Sequence, residues 1–443
     1  MARKYAIETF GCQMNVHDSE RLAGLLEQAG FKPTDDAGQA DLIILNTCSV
    51  RERAEDKLYS RLGELRARAG GPLPAPMVAV AGCVAQQEGI RLLKRAPFIS
   101  VIAGTRAEKR LPDLVEQAHR TGQPAIDIEL HDDLSFPPGL VRRGDPVRAS
   151  ITIIEGCNDV CAFCVVPHTR GRERMRPASE IMAEVGDAVS KGHKEIQLLG
   201  QIVNHYRAPD RPGCDFAALL ALVNDVPGVE RIRFASPHPR HVTAQLIEAI
   251  RDLPRVCKHL HLPVQSGSTR MLAAMRRRHT REDYLDLVAR VREAVPSITL
   301  SSDMIVGFPG ETEQDFEETM SLIEQVQFHS LFSFKYSGRP NTFAIKHLAD
   351  DVPHTVKTRR LAALQDLQRA IQTRLHQQAL GTVQDVLVDA RSQRRPWEMS
   401  GRTTGNTVVN FPGDLSWLGQ TVAVQIQRAG PNSLWGEPIV TAA

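Results

Sequence analysis

The sequence predicts an α/β protein in three parts: a doubly wound amino-terminal domain over residues 1–120, a partial (β/α)6 barrel with a trailing basic helix over 149–380, and a small all-β barrel over 381–443. Residues 121–148 read as a linker. Three observations carry this. Strand-like and helix-like segments alternate through the first part, as in a parallel sheet wound on both faces. Strand-like runs then recur six times between Ser150 and Tyr336, at intervals long enough for a helix. The last segment alternates apolar and polar residues between Gly and Pro turns.

In order, Lys4–Thr9, Asp41–Thr47 and Met77–Ala81 read as strands, with helices over Asp18–Ala29 and Arg51–Ala69 between them. The stretch Thr121–Arg148 is rich in Pro, Asp, Gly and Arg, which marks a connection rather than an element. Ser150–Glu155, Glu195–Leu199, Arg231–Ala235, His259–Val264, Thr299–Val306 and Leu331–Tyr336 are the six barrel strands, two units short of an eightfold barrel. A basic helix follows over Pro353–Leu380, its Lys357, Arg359, Arg360, Arg369 and Arg374 answered locally by Asp366. Val383–Val388, Thr407–Phe411 and Thr421–Ile426 are strands of the terminal barrel.

The chain has 443 residues, 42% of them hydrophobic, and a formal net charge of +2, so bulk charge announces no nucleic-acid partner. The longest apolar run, Ala75–Ala85, falls short of the ~18 residues of a membrane span. Met-Ala-Arg-Lys-Tyr5 leads straight into a strand, which is not the pattern of a secretory signal, and a cytoplasmic protein is expected. Its eight cysteines are then metal ligands or free thiols rather than a disulfide framework.

Six of them form two sets. Cys157, Cys161 and Cys164 lie within eight residues, directly after the first barrel strand, where barrel enzymes keep their active sites. A C-x3-C-x2-C loop can bind three irons of a cubane and leave the fourth open, whereas structural zinc would require a fourth ligand from elsewhere. Cys12, Cys48 and Cys83 each follow the C-terminal end of a strand in the first domain. Those ends share one edge of a parallel sheet, so the three sulfurs can converge on a second cluster; buried structural thiols are the alternative. Cys214 and Cys257 lack such company and are assigned to structure.

The Cys157–Cys164 loop, with Phe163 before its last cysteine, resembles the radical S-adenosylmethionine (SAM) signature. Taken with the first domain and the terminal barrel, the chain resembles the methylthiotransferases over nearly its whole length, and within them the tRNA 2-methylthio-N6-isopentenyladenosine synthase (MiaB) type. The matching wording is Gly11-Cys-Gln-Met-Asn15, Asn46-Thr-Cys-Ser-Val-Arg-Glu52, Cys164-Val-Val-Pro167, Leu198-Leu-Gly-Gln201, His261-Leu-Pro-Val-Gln-Ser-Gly-Ser268 and Ile305-Val-Gly-Phe-Pro-Gly-Glu-Thr312. Val160 and His168 depart from it, standing where tyrosines are expected. The resemblance implies two 4Fe-4S clusters and two uses of SAM. One SAM gives a methyl group to sulfur on the amino-terminal cluster; the other, cleaved at the radical cluster, yields a 5′-deoxyadenosyl radical that takes hydrogen from C2 of the adenine beside the anticodon. A reducing system and a sulfur donor are implied partners. The alternatives are a sister enzyme acting on threonylcarbamoyladenosine or a ribosomal-protein aspartate, and a zinc-bearing RNA-binding protein without redox chemistry.

Polar motifs recur where barrel strands end, at Gln201, Ser236, Gln265 and Gly307, and Phe163, Gln201 and Gln265 are expected to contact SAM. Gly307-Phe-Pro-Gly-Glu311 lacks the Lys-Ser/Thr of a phosphate loop and reads as a turn, with Thr312 capping the next helix. For tRNA, basic stretches at Arg170–Arg176 and Arg276–Arg281 nominate Arg170, Arg276 and Arg277. The terminal segment Ser400-Gly-Arg-Thr-Thr-Gly-Asn406 resembles a TRAM domain, which nominates Trp397 and Arg402 for RNA and leaves Phe411 to the core.

Overall fold

A computed structural model describes residues 3–50, 52–69, 75–133 and 135–439. Arg51, where the second helix is expected to begin, Leu134 in the expected linker and the last four residues of the expected barrel domain lie outside the described residues. The first domain runs β1 (Lys4–Phe10), α1 (Gln13–Gln28), β2 (Lys32–Pro33), β3 (Leu42–Thr47), α2 (Glu52–Ala69), β4 (Met77–Gly82), α3 (Cys83–Glu88), α4 (Arg91–Arg95), β5 (Ile99–Ala103), α5 (Leu111–Thr121) and β6 (Ala125–Asp127). Its six parallel strands lie in the order β2-β1-β3-β4-β5-β6. Leu22 and Leu26 of α1 pack with α5 on one face, and Leu58, Leu62 and Leu65 of α2 pack with Val84 and Leu92 on the other. This is the doubly wound arrangement. It differs from the sequence reading in that α1 begins five residues early, because Cys12 and Asn15 form a capping box, that β2 and β5 join the sheet as further strands, and that β6 lies inside the stretch read as linker, paired to β5.

The second part continues through β7 (Arg148–Thr152), β8 (Ile154–Glu155), α6 (Val166–Thr169), β9 (Arg174–Met175), α7 (Ala178–Ser190), β10 (Glu195–Leu199), α8 (Phe216–Asn224), β11 (Arg231–Phe234), α9 (Ala244–Asp252), β12 (His259–His261), α10 (Thr269–Ala274), α11 (Arg281–Ala294), β13 (Thr299–Val306), α12 (Glu313–Val326), β14 (Ser330–Lys335), α13 (Phe343–His347) and α14 (His354–Gln377). The six principal parallel strands form two three-stranded sheets, β7-β10-β11 and β12-β13-β14, and Ile232 of β11 bridges Val256 just ahead of β12. One core spans both halves, from Ile151 and Ile196 to Leu300 and Phe328. The sheet is therefore an open arc in chain order, a partial barrel. Thr312 caps α12 by a capping box with Asp315, as its position predicts.

The trailing helix is not a free basic face. Lys357 pairs with Asp350, Arg359 with Glu313, and the buried Arg360 with Glu311 and Glu313, so only Arg369 keeps the expected local partner, Asp366. These pairs clamp α14 to the barrel. Beyond it, β15 (Val383–Arg391), β16 (Glu398–Arg402), β17 (Val408–Pro412), β18 (Thr421–Ala429) and β19 (Leu434–Pro438) close a five-stranded barrel in the order β15-β16-β17-β19-β18. Phe411 is fully buried in its core with Met399 and Val409, as expected.

Between the first domain and the partial barrel lies a buried polar interface. His17 Nδ1 meets Thr152 Oγ1 at 2.8 Å and His17 Nε2 meets Glu184 at 3.3 Å, while Arg21 donates to Glu155 at 3.1 Å and Arg176 to Glu184 at 2.8 Å. Burial lowers the pKa of His17 and keeps it neutral, so its Nε2 carries the proton donated to the Glu184 carboxylate. Such a network is only tolerable when its members are held in place, which fixes the two domains against each other. A carboxyl beside this network, Glu20, is penalised. Burial raises the Glu20 carboxyl to about 7, against the pull of the Gly144 N–H and the Arg143 charge. A raised acid binds its proton more tightly in the folded state, so its contribution is complete below the unfolded value and is lost as pH rises toward 7. Glu20→Gln is expected to stabilise the protein by about 1–3 kcal/mol at pH 8 and by little at pH 4, measured by urea unfolding at the two pH values.

Candidate functional site

The first cysteine set lies on the loop between β8 and α6. Gly156, at φ +77°, turns the chain out of β8, and any side chain there would collide with the Gly171 and Arg172 carbonyls. Cys157 N then donates to Gly171 O at 3.1 Å and Cys164 N to Cys161 O at 3.1 Å, while Ala162 N is held by Met275 O at 2.9 Å. Burial, with a smaller push from the neighbouring Cys161, raises both Cys157 and Cys164 to about 12. Free of a counter-charge these thiols would stay protonated; a bound cation would convert them to thiolates.

The second set lies at neighbouring strand ends of the first sheet. Cys12 caps α1, Cys48 follows β3, and Cys83 opens α3. The Cys48 thiol lies close enough to both of the others to act on their ionisation. That proximity is the main cause lowering Cys12 to about 6 and Cys83 to about 7, with the Arg170 charge adding to it against burial. Two asparagines hold the three loops together: Asn15 Oδ1 accepts from Cys12 N at 3.3 Å, and Asn46 Nδ2 donates to Asn15 O and Ser19 Oγ, both at 2.9 Å. Gly11 and Gly82 leave room for them, since a Cβ at either would strike Asn15 or Asn46. Thr47 and Ser49, on either side of Cys48, are fully buried, and among the described residues their hydroxyls have no partner.

Around the first loop, the ends of the barrel strands carry strained backbone. Ser236 after β11 and Gln265 after β12 have φ of +59° and +80°, in the left-handed region that non-glycine residues rarely adopt. Gln265 is 8% exposed, and its main chain is pinned between Asp303 and Ile305. Gln201 follows β10, and its buried Oε1 has no partner among the described residues. Phe163 packs at the edge of a cluster of Ala162, Met271, Met275, Phe308 and Tyr336.

Comparison with known proteins places this geometry. Residues 4–104 match the family described as "Uncharacterized protein family UPF0004", 151–323 match the Radical SAM superfamily, and 377–439 match the TRAM domain. Three curated relatives bear the name tRNA-2-methylthio-N(6)-dimethylallyladenosine synthase. That of Solibacter usitatus is 44% identical and covers 98% of both chains; that of Geotalea uraniireducens is 46% identical over 97% of this chain and 98% of its own; that of Thiobacillus denitrificans is 46% identical over 99% and 98%. The chain belongs to this family of radical SAM methylthiotransferases. Among solved structures, the radical SAM methyltransferase TsrM from Kitasatospora setae, with cobalamin and a [4Fe-4S] cluster bound, superposes with a TM-score of 0.57 at 14% identity, over 87% of this chain and 77% of its own. The radical enzyme OxsB, with aqua-cobalamin and SAM bound, gives 0.52 at 12% identity over 83% and 56%. At these identities the likeness is one of fold.

Membership in this family brings with it two [4Fe-4S] clusters and SAM. The residues present fit them. Each thiol triad offers three soft sulfur donors, one set on a single loop and the other at three strand ends, and the orphaned oxygens of Gln201, Thr47 and Ser49 are buried polar atoms of the kind a bound group satisfies. Among the described residues no three Cys, His, Asp or Glu side chains are drawn together tightly enough for a single metal ion, so the fit rests on this donor set.

Of the residues expected to meet RNA, two lie elsewhere. Arg170 is 4% exposed, bound to Asp18 at 2.5 Å and close enough to Cys12 and Cys83 to act on their charge. Arg277 is 6% exposed and donates to Cys161 Sγ at 3.6 Å. Neither can reach a phosphate, because both guanidiniums are buried beside a cysteine set. Arg276 is exposed, with its guanidinium 3.4 Å from the centre of the Phe343 ring, and Trp397 is 67% exposed at the rim of the terminal barrel. Arg402 turns toward the junction between barrel and arc, 3.6 Å from Asp389 and within reach of Asn406. His168 is an exposed residue of α6. Cys214 and Cys257 are buried, away from both sets in sequence and in their contacts. Sequence reasoning missed Asn15, Asp18 and Asn46. The asparagines could have been found from their place in Cys12-Gln-Met-Asn15 and Asn46-Thr-Cys48; nothing local marks Asp18.

Proposed function

We propose that this chain adds a methylthio group to C2 of N6-isopentenyladenosine at tRNA position 37. The observation that carries this reading is full-length similarity, at 44–46% identity, to synthases named for that product, together with two separate sets of three cysteines, one in the first domain and one at the partial barrel. Cys157, Cys161 and Cys164 would hold the cluster at which SAM is cleaved, with Phe163, Gln201 and Gln265 orienting the cofactor. Cys12, Cys48 and Cys83 would hold the cluster that carries sulfur. When bound, cluster and SAM supply a 5′-deoxyadenosyl radical able to take hydrogen from an unactivated carbon. The chain's own part is placement. The His17–Glu184 and Arg170–Asp18 contacts fix the first domain against the partial barrel and so hold the two triads in one arrangement.

The terminal barrel and its exposed Trp397, with Arg276 beside the arc, support the anticodon loop of tRNA as the macromolecular partner. A low-potential electron carrier and a sulfur donor complete the partners. Among the described residues no helix is long and apolar enough to cross a membrane, and a tRNA substrate puts the reaction in the cytoplasm. The test is mass spectrometry of tRNA nucleosides from a strain lacking the gene. Loss of 2-methylthio-N6-isopentenyladenosine with accumulation of N6-isopentenyladenosine is expected; an unchanged methylthio product, or loss of the threonylcarbamoyl derivative instead, overturns the substrate assignment.

A further inference from the structure

Arg277 stands at the radical cysteine loop with no carboxylate within 4 Å among the described residues. Its side chain is 6% exposed. A buried guanidinium without a counter-ion is strongly unfavourable. The contacts it does make are Nη1 to Cys161 Sγ at 3.6 Å and Nη2 to Pro263 O at 2.7 Å, while Nε has no partner among the described residues. The backbone is distorted to keep it there. Arg276 and Arg278, its neighbours on both sides, have φ of +58° and +57°, a conformation that is unfavourable for any L side chain and persists only where the surroundings impose it. The same turn binds the cysteine loop through Met275 O and Ala162 N at 2.9 Å, and Arg277 N is held by Leu272 O at 2.9 Å. Nearby Arg278 is different: exposed, and facing Asp159 at 3.8 Å. The turn thus points one arginine outward and one at a sulfur.

From this geometry we infer that Arg277 is a positioning residue for the radical cluster, the fixed positive charge beside Cys161 Sγ that sets how easily the cluster accepts its electron. Hydrogen bonds to cluster sulfurs and local net charge are the protein's means of setting such potentials. The step concerned adds one electron, supplied in the test by dithionite, and moves no proton, because a guanidinium keeps its charge throughout. A permanent positive charge in a site of low dielectric favours the reduced, more negative state.

The inference rests on Cys157, Cys161 and Cys164 being cluster ligands, and its test separates the two. Full-length protein carrying Cys12→Ala, Cys48→Ala and Cys83→Ala, so that one cluster remains, is reconstituted with iron and sulfide and titrated with dithionite while the reduced cluster is followed by electron paramagnetic resonance. Absence of about four irons in this background means that the ligand assignment fails. With iron present, Arg277→Met is expected to lower the ratio of reduced to oxidised cluster about tenfold at any fixed potential, equivalent to a midpoint about 59 mV more negative for one electron. Arg277→Lys keeps the charge and is expected to stay within about threefold of the parent. Arg277→Gln keeps a donor without charge and is expected to fall with methionine. If Arg277→Met does not retain iron, the lysine and glutamine pair carries the same comparison. Parental midpoints in the neutral variants, or a lysine variant shifted as far as glutamine, would show that Arg277 merely braces the Pro263 turn.

Discussion

Replacing Cys157, Cys161 and Cys164 with alanine is expected to abolish 5′-deoxyadenosine formation and remove about half of the iron from the anaerobically reconstituted protein. The same replacement of Cys12, Cys48 and Cys83 should remove the other half and leave cofactor cleavage intact while abolishing the methylthio product. The reason lies in the placement of the triads. One is on a loop of the partial barrel braced by Gly171 and Met275; the other is built from three strand ends of the first domain and braced by Asn15 and Asn46. They share no ligand, so each can be emptied alone. Iron analysis and chromatography of the nucleoside product check both halves. Loss of all cofactor cleavage on removing the amino-terminal thiols would contradict separate roles.

The second large effect is expected at Arg170. Its guanidinium and the Asp18 carboxylate are 4% and 3% exposed and 2.5 Å apart, and they bridge the two domains next to Cys12 and Cys83. Burial works against the charge of Arg170, and Asp18 and the two cysteines outweigh it. Removing one partner leaves the other buried and unpaired, which costs about 3–5 kcal/mol. Arg170→Met should therefore unfold at much lower urea concentration than the parent. The double variant Arg170→Met with Asp18→Leu should recover most of the loss, because no orphan charge remains. Equal destabilisation in the single and double variants would mean that shape, not charge, matters at this contact.

How much of this was legible in the sequence depends on whether the signal was local. The three-part architecture, the strands carrying Cys12, Cys48 and Cys83, and the cap at Thr312 are written in periodicity and spacing, which neighbouring residues determine. Ile99–Ala103 and Ala125–Asp127 were not legible as strands, being short and flanked by Pro97 and Pro124. The arginines divide along the same line. Arg170, Arg277 and Arg360 sit in runs of positive charge that look like solvated or RNA-facing surfaces, yet each is buried against a partner 49 to 152 residues distant in sequence. A charge run records how many cations a segment has and says nothing of which Asp, Glu or thiolate the fold brings to it. Two aromatics of the terminal barrel show the converse: Trp397 is exposed, while Phe411, nearby in sequence, fills the core.

The central claim is that this one chain holds two clusters, each on three cysteines. Its most direct test is iron and sulfide analysis with Mössbauer spectroscopy of the anaerobically purified full-length protein. About eight irons per chain, all in [4Fe-4S] environments and falling to about four when either triad is replaced, is the predicted result. About four irons in the parent, or a colourless protein with stoichiometric zinc, would contradict it.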